Sequence, residues 1–498
     1  MQNYIISIIV NTTKIEQWIV KTLKQIKDEN IGLVDKIIVL NDRNIKVKRI
    51  NFWEELIKYK FKNRYDASNI IDVKKSDFLN EYDIVSGNQL ENSYKCDLLI
   101  SQDCSIEDIR KYCKYSKGGV IFTSLDDELN NPNIALKSTS RINKIQRISL
   151  IKYHSEEFSL IEQIESQKAK IPFINKNIFL NFSEMLIFKN INKIKSSYDF
   201  QKYSLTLNSF NVFQSLYYNI VILANLLFNF FRIKQKDNWY IKIGYNLDLF
   251  SIDFKSMVDI IPPRHKFWAD PFLIKYKGDV LLFLEEYSYL SKKGKIVCLK
   301  LNGNCKTPEI QLSNSTHFSF PYVFVFNDNL YMLPENSNSC ELNLYVYDEY
   351  NNKWDIAINI FKNIDYADPV LFFHENVWYL FVSLANNNIN KDSQLYLYYS
   401  ENLLDNRWIK HSCSPISIGS RNSRMAGNIF KINNRIYRPS QNCSLYYGNN
   451  VHFMEIKKIS KFEYEESESS IITKDANMLG LHTFNSIENI VVVDVYNK

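Results

Sequence analysis

Glycine is scarce, 12 residues in 498, and no G-x-G-x-x-G or P-loop follows the first apolar run. The turn after Tyr4 to Val10 is Asn11, Thr12, Thr13, which gives a pyrophosphate no close backbone approach, so no dinucleotide cofactor is expected. A helix opening at Thr13 would leave one device for an anion. Cys96, Cys104, Cys113, Cys298, Cys305, Cys340, Cys413 and Cys443 form no C-x-x-C pair and no Cys/His cluster at zinc spacing. They are read as reduced thiols of a cytoplasmic protein, with no metal site expected. The formal charge of +6 is not gathered into a basic stripe, which argues against nucleic acid as a partner. No basic segment precedes the short first apolar run, so that run is read as a strand and secretion is not expected.

Long apolar runs are equally rare. The exception is FNVFQSLYYNIVILANLLFNFF, residues 210–231, which Asn211, Gln214, Ser215, Asn219, Asn225 and Asn229 interrupt at a spacing near four. A spanning segment is disfavoured. The stretch reads as a helix that is either buried between two halves of the chain or lies on a membrane surface, helped by Arg232, Lys234 and Lys236.

Aromatic residues are abundant, 14% with 32 Tyr and 32 Phe, which suits a β-rich half. One phrase recurs with a period of roughly 50 to 60 residues: a short apolar strand, a tight polar turn, and a second aromatic-rich strand. Its copies are ADPFLIKYKGDVLLFLEE from Ala269, SFPYVFVFNDNLYMLPEN from Ser319, ADPVLFFHENVWYLFVSL from Ala367, MAGNIFKINNRIYRPSQN from Met425 and LHTFNSIENIVVVDVYN from Leu481. That period fits a four-stranded blade, so residues 238–498 are read as an all-β five-bladed propeller. Residues opening the inner strands then converge on one funnel: Asp270, His317 with Phe320, Asp368, Arg424 and His482. The second strands bring Glu285, Glu286, Pro334, Glu335, Arg438 and Gln441, and Arg421 flanks the fourth copy.

The N-terminal half alternates strand and helix: Tyr4 to Val10, a helix from Thr13 to Lys27, a strand from Val34 to Leu40, then strands at Asp97 to Ile100 and Val120 to Thr123. That alternation predicts an α/β Rossmann-like domain with a parallel sheet over residues 1–200, joined to the propeller by an apolar linker helix over 201–237.

The motifs RHKFWADPFL, LEEY, HFSFPYVF, YMLPE, DYADPVLF, RNSRMAGNIF, YRPSQNCSLYYG and LHTFN, in that order between Arg264 and Asn485, resemble the propeller domain that opens plant glucosamine inositolphosphorylceramide transferases. More distantly they are similar to five-bladed glycoside hydrolases of the arabinanase and fructosidase type. In bacterial members of the first group a formyltransferase-like domain precedes the propeller, which implies that kinship for residues 1–200, although the S-L-L-P-like turn of formyl transfer is absent. The resemblance implies carbohydrate chemistry or binding. By motif position it makes Asp270 the base or nucleophile, Glu335 the acid and Asp368 the group that tunes them, while Glu286, His317, Arg421, Arg424, Arg438, Gln441 and His482 would bind substrate.

Each residue has a plainer reading. Asp-Pro pairs start turns whatever their function. The arginines could clamp a phosphate or carboxylate, or neutralise the carboxylates across the channel. Trp268, Tyr322 and Tyr437 could stack on a sugar or fill the core. Three functions fit: a transferase-type enzyme of surface glycan or glycolipid synthesis, binding an acidic or phosphorylated sugar in the funnel; a glycoside hydrolase; and a non-catalytic recognition module serving a partner transferase.

Overall fold

Turns with both central residues in the left-handed region fold the repeat back on itself, yet few of those residues are glycine. Lys277 and Gly278, Asn327 and Asp328, Glu375 and Asn376, and Asn433 and Asn434 all have φ between 47° and 87°. Such turns match the twist of the strands they join, and Asn and Asp tolerate the conformation best after glycine. The chain therefore builds its hairpins despite its glycine shortage.

The structure is a computed structural model that describes residues 4–41, 67, 69–129, 134–141, 143–196, 200–205, 212–231, 238–301, 308–336, 339–385 and 390–497. Cys305, Arg232, Lys234 and Lys236 lie outside the described residues. The chain divides into two units, Met1–Ile233 and Lys234–Lys498.

The second unit is a propeller of five antiparallel sheets. Blade one begins with Lys266–Tyr276 and Asp279–Ser288, blade two with Ser319–Phe326 and Asn329–Glu335, and blade three with Tyr366–His374 and Val377–Leu384. Blade four is built on Arg435–Asn442. Blade five combines Phe484–Ile487 and Ile490–Asn497 with Trp239–Tyr245 and Val258–Ile260, so strands from both ends of the unit close the ring. Aromatic and aliphatic side chains fill the space between blades, Phe272, Phe283, Phe320, Tyr366 and Phe381 among the most deeply buried.

The first unit holds a mixed sheet. The strands Ile5–Thr12, Leu33–Asn41, Asp83–Ser86, Leu98–Gln102 and Val120–Leu125 run parallel. Ile145–His154, Glu157–Gln167 and Gln201–Lys202 extend the sheet antiparallel. The expected all-parallel Rossmann sheet is thus not what forms, because a long hairpin occupies one side. The helix also starts later than its periodicity suggests. Lys14–Glu16 pairs with Ile70–Asp72 as a strand and the helix is Gln17–Asp28, so Thr13 opens no helix and offers no anion site there.

The apolar helix is Val212–Phe231 and packs on Ile134–Ser140 in the first unit. Leu216, Tyr217, Ile220, Leu223 and Leu227 are exposed while Ile222 is buried. Among the described residues no helix is long and apolar enough to cross a membrane. No disulfide joins the described cysteines.

Candidate functional site

The funnel is shaped by one irregularity used three times. Ala269 pairs with Glu285 but Phe272 with Phe283, and the same skip occurs at Ser319 and Tyr322, and at Ala367 and Val370. The extra residue in each bulge is left-handed: Asp270 at φ 52°, Phe320 at 46° and Asp368 at 46°. Each such residue costs roughly 1–3 kcal/mol, and holding a phenylalanine there requires that its surroundings over-determine it. The bulge turns each amide toward the preceding blade of the ring, where a carboxylate receives it. Asp270 N donates to Asp494 Oδ2 at 3.0 Å, Phe320 N to Asp270 Oδ2 at 3.0 Å, and Asp368 N to Glu335 Oε2 at 3.1 Å.

Asp270, Glu285, His317, Glu335, Arg424 and Tyr447 line a cavity of about 440 Å³ at this level. On one side, Asp270 accepts from Thr483 Oγ1 at 3.0 Å and lies 3.3 Å from His482 Nε2. His482 Nδ1 is 2.7 Å from Asp494 Oδ2, and Asp494 also accepts from the amides of His482 and Thr483 at 3.0 and 2.8 Å. Burial works against a charged His482, but Asp494 and then Asp270 outweigh it and raise its pKa. Asp270, His482 and Asp494 are also the group among the described residues whose ligand atoms could hold a metal. Their oxygens already accept from backbone amides and Thr483.

Across the funnel, Arg424 Nε bonds Asp368 Oδ2 at 2.5 Å, Nη1 bonds Asp392 Oδ1 at 2.5 Å, and Nη2 lies 3.6 Å from Glu335. The guanidinium also sits 5.0 Å over the Tyr447 ring. Gln441 Nε2 adds a bond to Asp368 at 2.8 Å, and Lys391 Nζ reaches Glu335 at 3.3 Å. Burial favours the neutral form of Glu335, but Lys391 and Arg424 overcome it and hold the carboxyl below the usual range. The deeper Asp368 is raised by burial more than Arg424 lowers it, with Glu335 adding to the rise.

Glu285 is different. Its Oε1 is buried and makes no hydrogen bond, although His317 Nε2 lies 3.3 Å away. His317 Nδ1 accepts the Gly294 amide at 3.0 Å, so in the neutral ring the proton is on Nε2, facing Glu285. Burial lowers the His317 pKa and keeps the ring neutral. Burial, then the charges of Asp270, Glu335, Asp494 and Asp368, push Glu285 well above the carboxylate range. Glycine is required at 294, because a Cβ there would lie 2.5 Å from Glu285 Oε1 and 2.6 Å from the Phe318 carbonyl.

These directions fix a pH dependence. The raised Glu285 binds its proton more tightly when folded, so its contribution falls as pH rises from the unfolded value of 4.5 through the folded one. His482, also raised, contributes fully below 6.5, and that contribution is lost as pH climbs through its folded value. Glu335, lowered, contributes above 4.5 and loses this as pH falls through its folded value. The unliganded protein is therefore expected to melt highest on the mildly acidic side. Melting curves across pH should show Glu285→Gln removing the part of the decline that begins just above 4.5. An unaltered profile in that variant would show that Glu285 does not hold the proton.

Not every residue read from the sequence reaches the funnel. Glu286 faces the other side of its strand, bonded to Lys266 at 2.8 Å and Trp268 Nε1 at 3.1 Å. Side chains alternate along a strand, so of two adjacent glutamates only Glu285 points inward. Arg421 is paired with Glu468 at 3.0 Å, and Arg438, fully buried, bonds Glu466 at 2.7 and 2.8 Å. Neither is available to an anionic ligand in the funnel, and Arg424 neutralises the carboxylates around it. Trp268, Tyr322 and Tyr437 are buried, Tyr322 donating to the Leu371 carbonyl at 2.5 Å. Sequence reasoning missed Lys391, Asp392, Tyr447 and Asp494. Asp494 carries a signal in hindsight, a single acid within the apolar run Val491 to Val495.

Residues 255–490 match the family described as glucosamine inositolphosphorylceramide transferase 1, N-terminal. Glucosamine inositolphosphorylceramide transferase 1 of Oryza sativa subsp. japonica is 32% identical over 209 residues, 40% of this chain and 27% of the relative. The protein of the same name from Arabidopsis thaliana is 31% identical over 227 residues, 44% and 29% of the two chains. The chain thus spans under a third of the length of these curated relatives. Among solved structures, the catalytic domain of a GH62 α-L-arabinofuranosidase from Coprinopsis cinerea aligns at TM-score 0.34 and 11% identity, covering 52% of this chain and 97% of that one. An exo-1,5-α-L-arabinanase from a bovine ruminal metagenomic library gives 0.32 and 11%, covering 47% and 94%.

Proposed function

We propose that this chain is a transferase-type protein of glycolipid or surface-glycan assembly whose propeller funnel binds an amino sugar. The observation that carries the reading is the charge around Glu285 Oε1, a buried oxygen without a hydrogen bond. Asp270, Glu335, Asp368, Asp392 and Asp494 share this region with the cations Arg424, Lys391 and His482, each of which lies against a carboxylate. A funnel with this balance attracts an ammonium and repels a carboxylate or phosphate, so the acidic sugar of the first reading is not favoured. The printed names of the plant relatives, which include glucosamine, support the same ligand class. The sugar ring would lie against Tyr287 and Phe267, whose rings stack 4.7 Å apart at the cavity wall.

An ammonium beside Glu285 drives off its proton, so binding and proton release are linked. Calorimetric titration with D-glucosamine in two buffers of different ionisation heat is expected to show release approaching one proton. Glu285→Gln should abolish that release and weaken binding about tenfold, the loss of one charge-assisted contact. Equal or tighter binding of D-glucose would sink the amino-sugar reading. Glycoside hydrolysis is the second reading, favoured by one protonated and one ionised carboxyl at a single cavity. In it the acid is Glu285, since the ionised Glu335 cannot donate a proton.

The first unit is proposed to be formyltransferase-like by domain order alone. The exposed face of Val212–Phe231 is proposed to rest on a membrane surface at the cytoplasmic side, which cosedimentation with anionic vesicles tests.

A further inference from the structure

The motif Arg264 to Lys266 finds no role in the funnel. It borders a second cavity of about 330 Å³, walled by Trp239, Tyr240, Pro263 and Tyr289. Lys266 reaches Glu286 at 2.8 Å, but Arg264 and His265 are exposed and make no side-chain ion pair or hydrogen bond among the described residues. His265 is left-handed at φ 64°, a conformation rare outside glycine, and its carbonyl accepts the Tyr289 amide at 3.0 Å. That bond fixes the loop against the wall it borders.

The two cavities adjoin. Tyr289 lines both, and its ring packs against Phe267 and Tyr287 of the funnel at 6.0 and 5.8 Å. Trp239 of the second cavity lies 4.2 Å from the His482 ring, and His482 belongs to the Asp270 clamp. Their charges are opposite. The funnel has an excess of carboxylates, whereas the second cavity offers Arg264 and His265 and, among the described residues, no acidic side chain in its lining.

We propose that the second cavity is an anion subsite that receives the phosphoryl group of a phosphorylated amino sugar whose ring occupies the funnel. Arg264 is the principal contact, since a guanidinium meets two phosphate oxygens at once, and His265 adds a ring N–H donor. The inference rests on the amino-sugar reading and extends it. It also returns a phosphate to the ligand, at a site away from the funnel arginines.

The test compares affinities of the full chain for D-glucosamine, D-glucosamine 1-phosphate and UDP-glucosamine by calorimetry at low ionic strength. The phosphate is expected to tighten binding about tenfold, a gain that added salt erodes. Arg264→Gln should bring the ratio of the two affinities close to one, whereas the control Arg435→Gln, on an exposed residue of blade four, should retain the full ratio. UDP-glucosamine exceeding the 1-phosphate identifies a nucleotide diphosphate as the source of the anion. Equality identifies a simple phosphate ester, and both outcomes support the subsite. A ratio near one in the native protein, with glucosamine still bound, overturns the subsite alone. A ratio unaffected by Arg264→Gln overturns it as well. Silence toward all three ligands removes the amino-sugar reading and this inference together.

Discussion

Replacing Asp494 with alanine is expected to prevent the propeller from closing. The side chain is fully buried and accepts backbone amides from Asp270, His482 and Thr483, and it lies 2.7 Å from the ring of His482. Truncation strands these donors away from water, at roughly 1–3 kcal/mol for each unsatisfied group. It also removes the carboxylate that most favours the charged form of His482. Together these losses reach the whole stability of an ordinary domain. The measurement is chemical denaturation followed by tryptophan fluorescence, since Trp239 and Trp268 are buried in blades five and one. Asp494→Asn keeps one acceptor oxygen and should retain a folded, destabilised protein. A stable, cooperative Asp494→Ala variant would mean that the clamp does not hold the ring.

The second large effect is expected at Arg424. Its guanidinium is the common partner of Asp368, Asp392 and Glu335, all of which are largely buried. Arg424→Met keeps the volume and removes the charge, leaving carboxylates that repel one another, so a loss of about 3–5 kcal/mol is expected. Arg424→Lys should recover little, because one ammonium cannot reach Asp368 and Asp392 as a planar fork does. Adding Glu335→Gln to Arg424→Met should restore part of the loss by lowering the repulsion. A double-mutant cycle on melting free energies reads this directly, and strict additivity would show that the two residues are not coupled.

What the sequence reveals depends on how each constraint is encoded. The ADP phrase is legible because the bulge needs a residue that tolerates the left-handed region in the same place each time. Phe320, at the same position, shows that the bulge itself belongs to the fold. The chemistry at that position is therefore decided by the residues opposite. Strand parity separates Glu285 from Glu286, and it could have been counted from the pairing with Ala269. For the arginines the sequence leaves two readings open, a clamp for a ligand or a counter-charge for the carboxylates, and it names no partner. Arg424 meets Asp368 from 56 positions away and Arg438 meets Glu466 from 28, and no local pattern announces such partners. Lys391 and Asp392 sit in a loop outside the repeat, so periodicity could not weigh them. In the first unit the alternation of strand and helix was visible, while the antiparallel hairpin from Ile145 to Gln167 reads locally like any other pair of strands.

The clamp between blades one and five joins Asp270 and Asp494, which are 224 residues apart. Contacts that distant are slow to find, because the ordering of everything between them precedes the gain. Hairpins within a blade can form early from neighbouring residues. The funnel cannot, since the acceptor for the Asp270 amide arrives with the final strand of blade five. Ligand-binding competence is thus a property of the completed ring, and its recovery during refolding is expected to lag the appearance of β-structure and coincide with burial of Trp239.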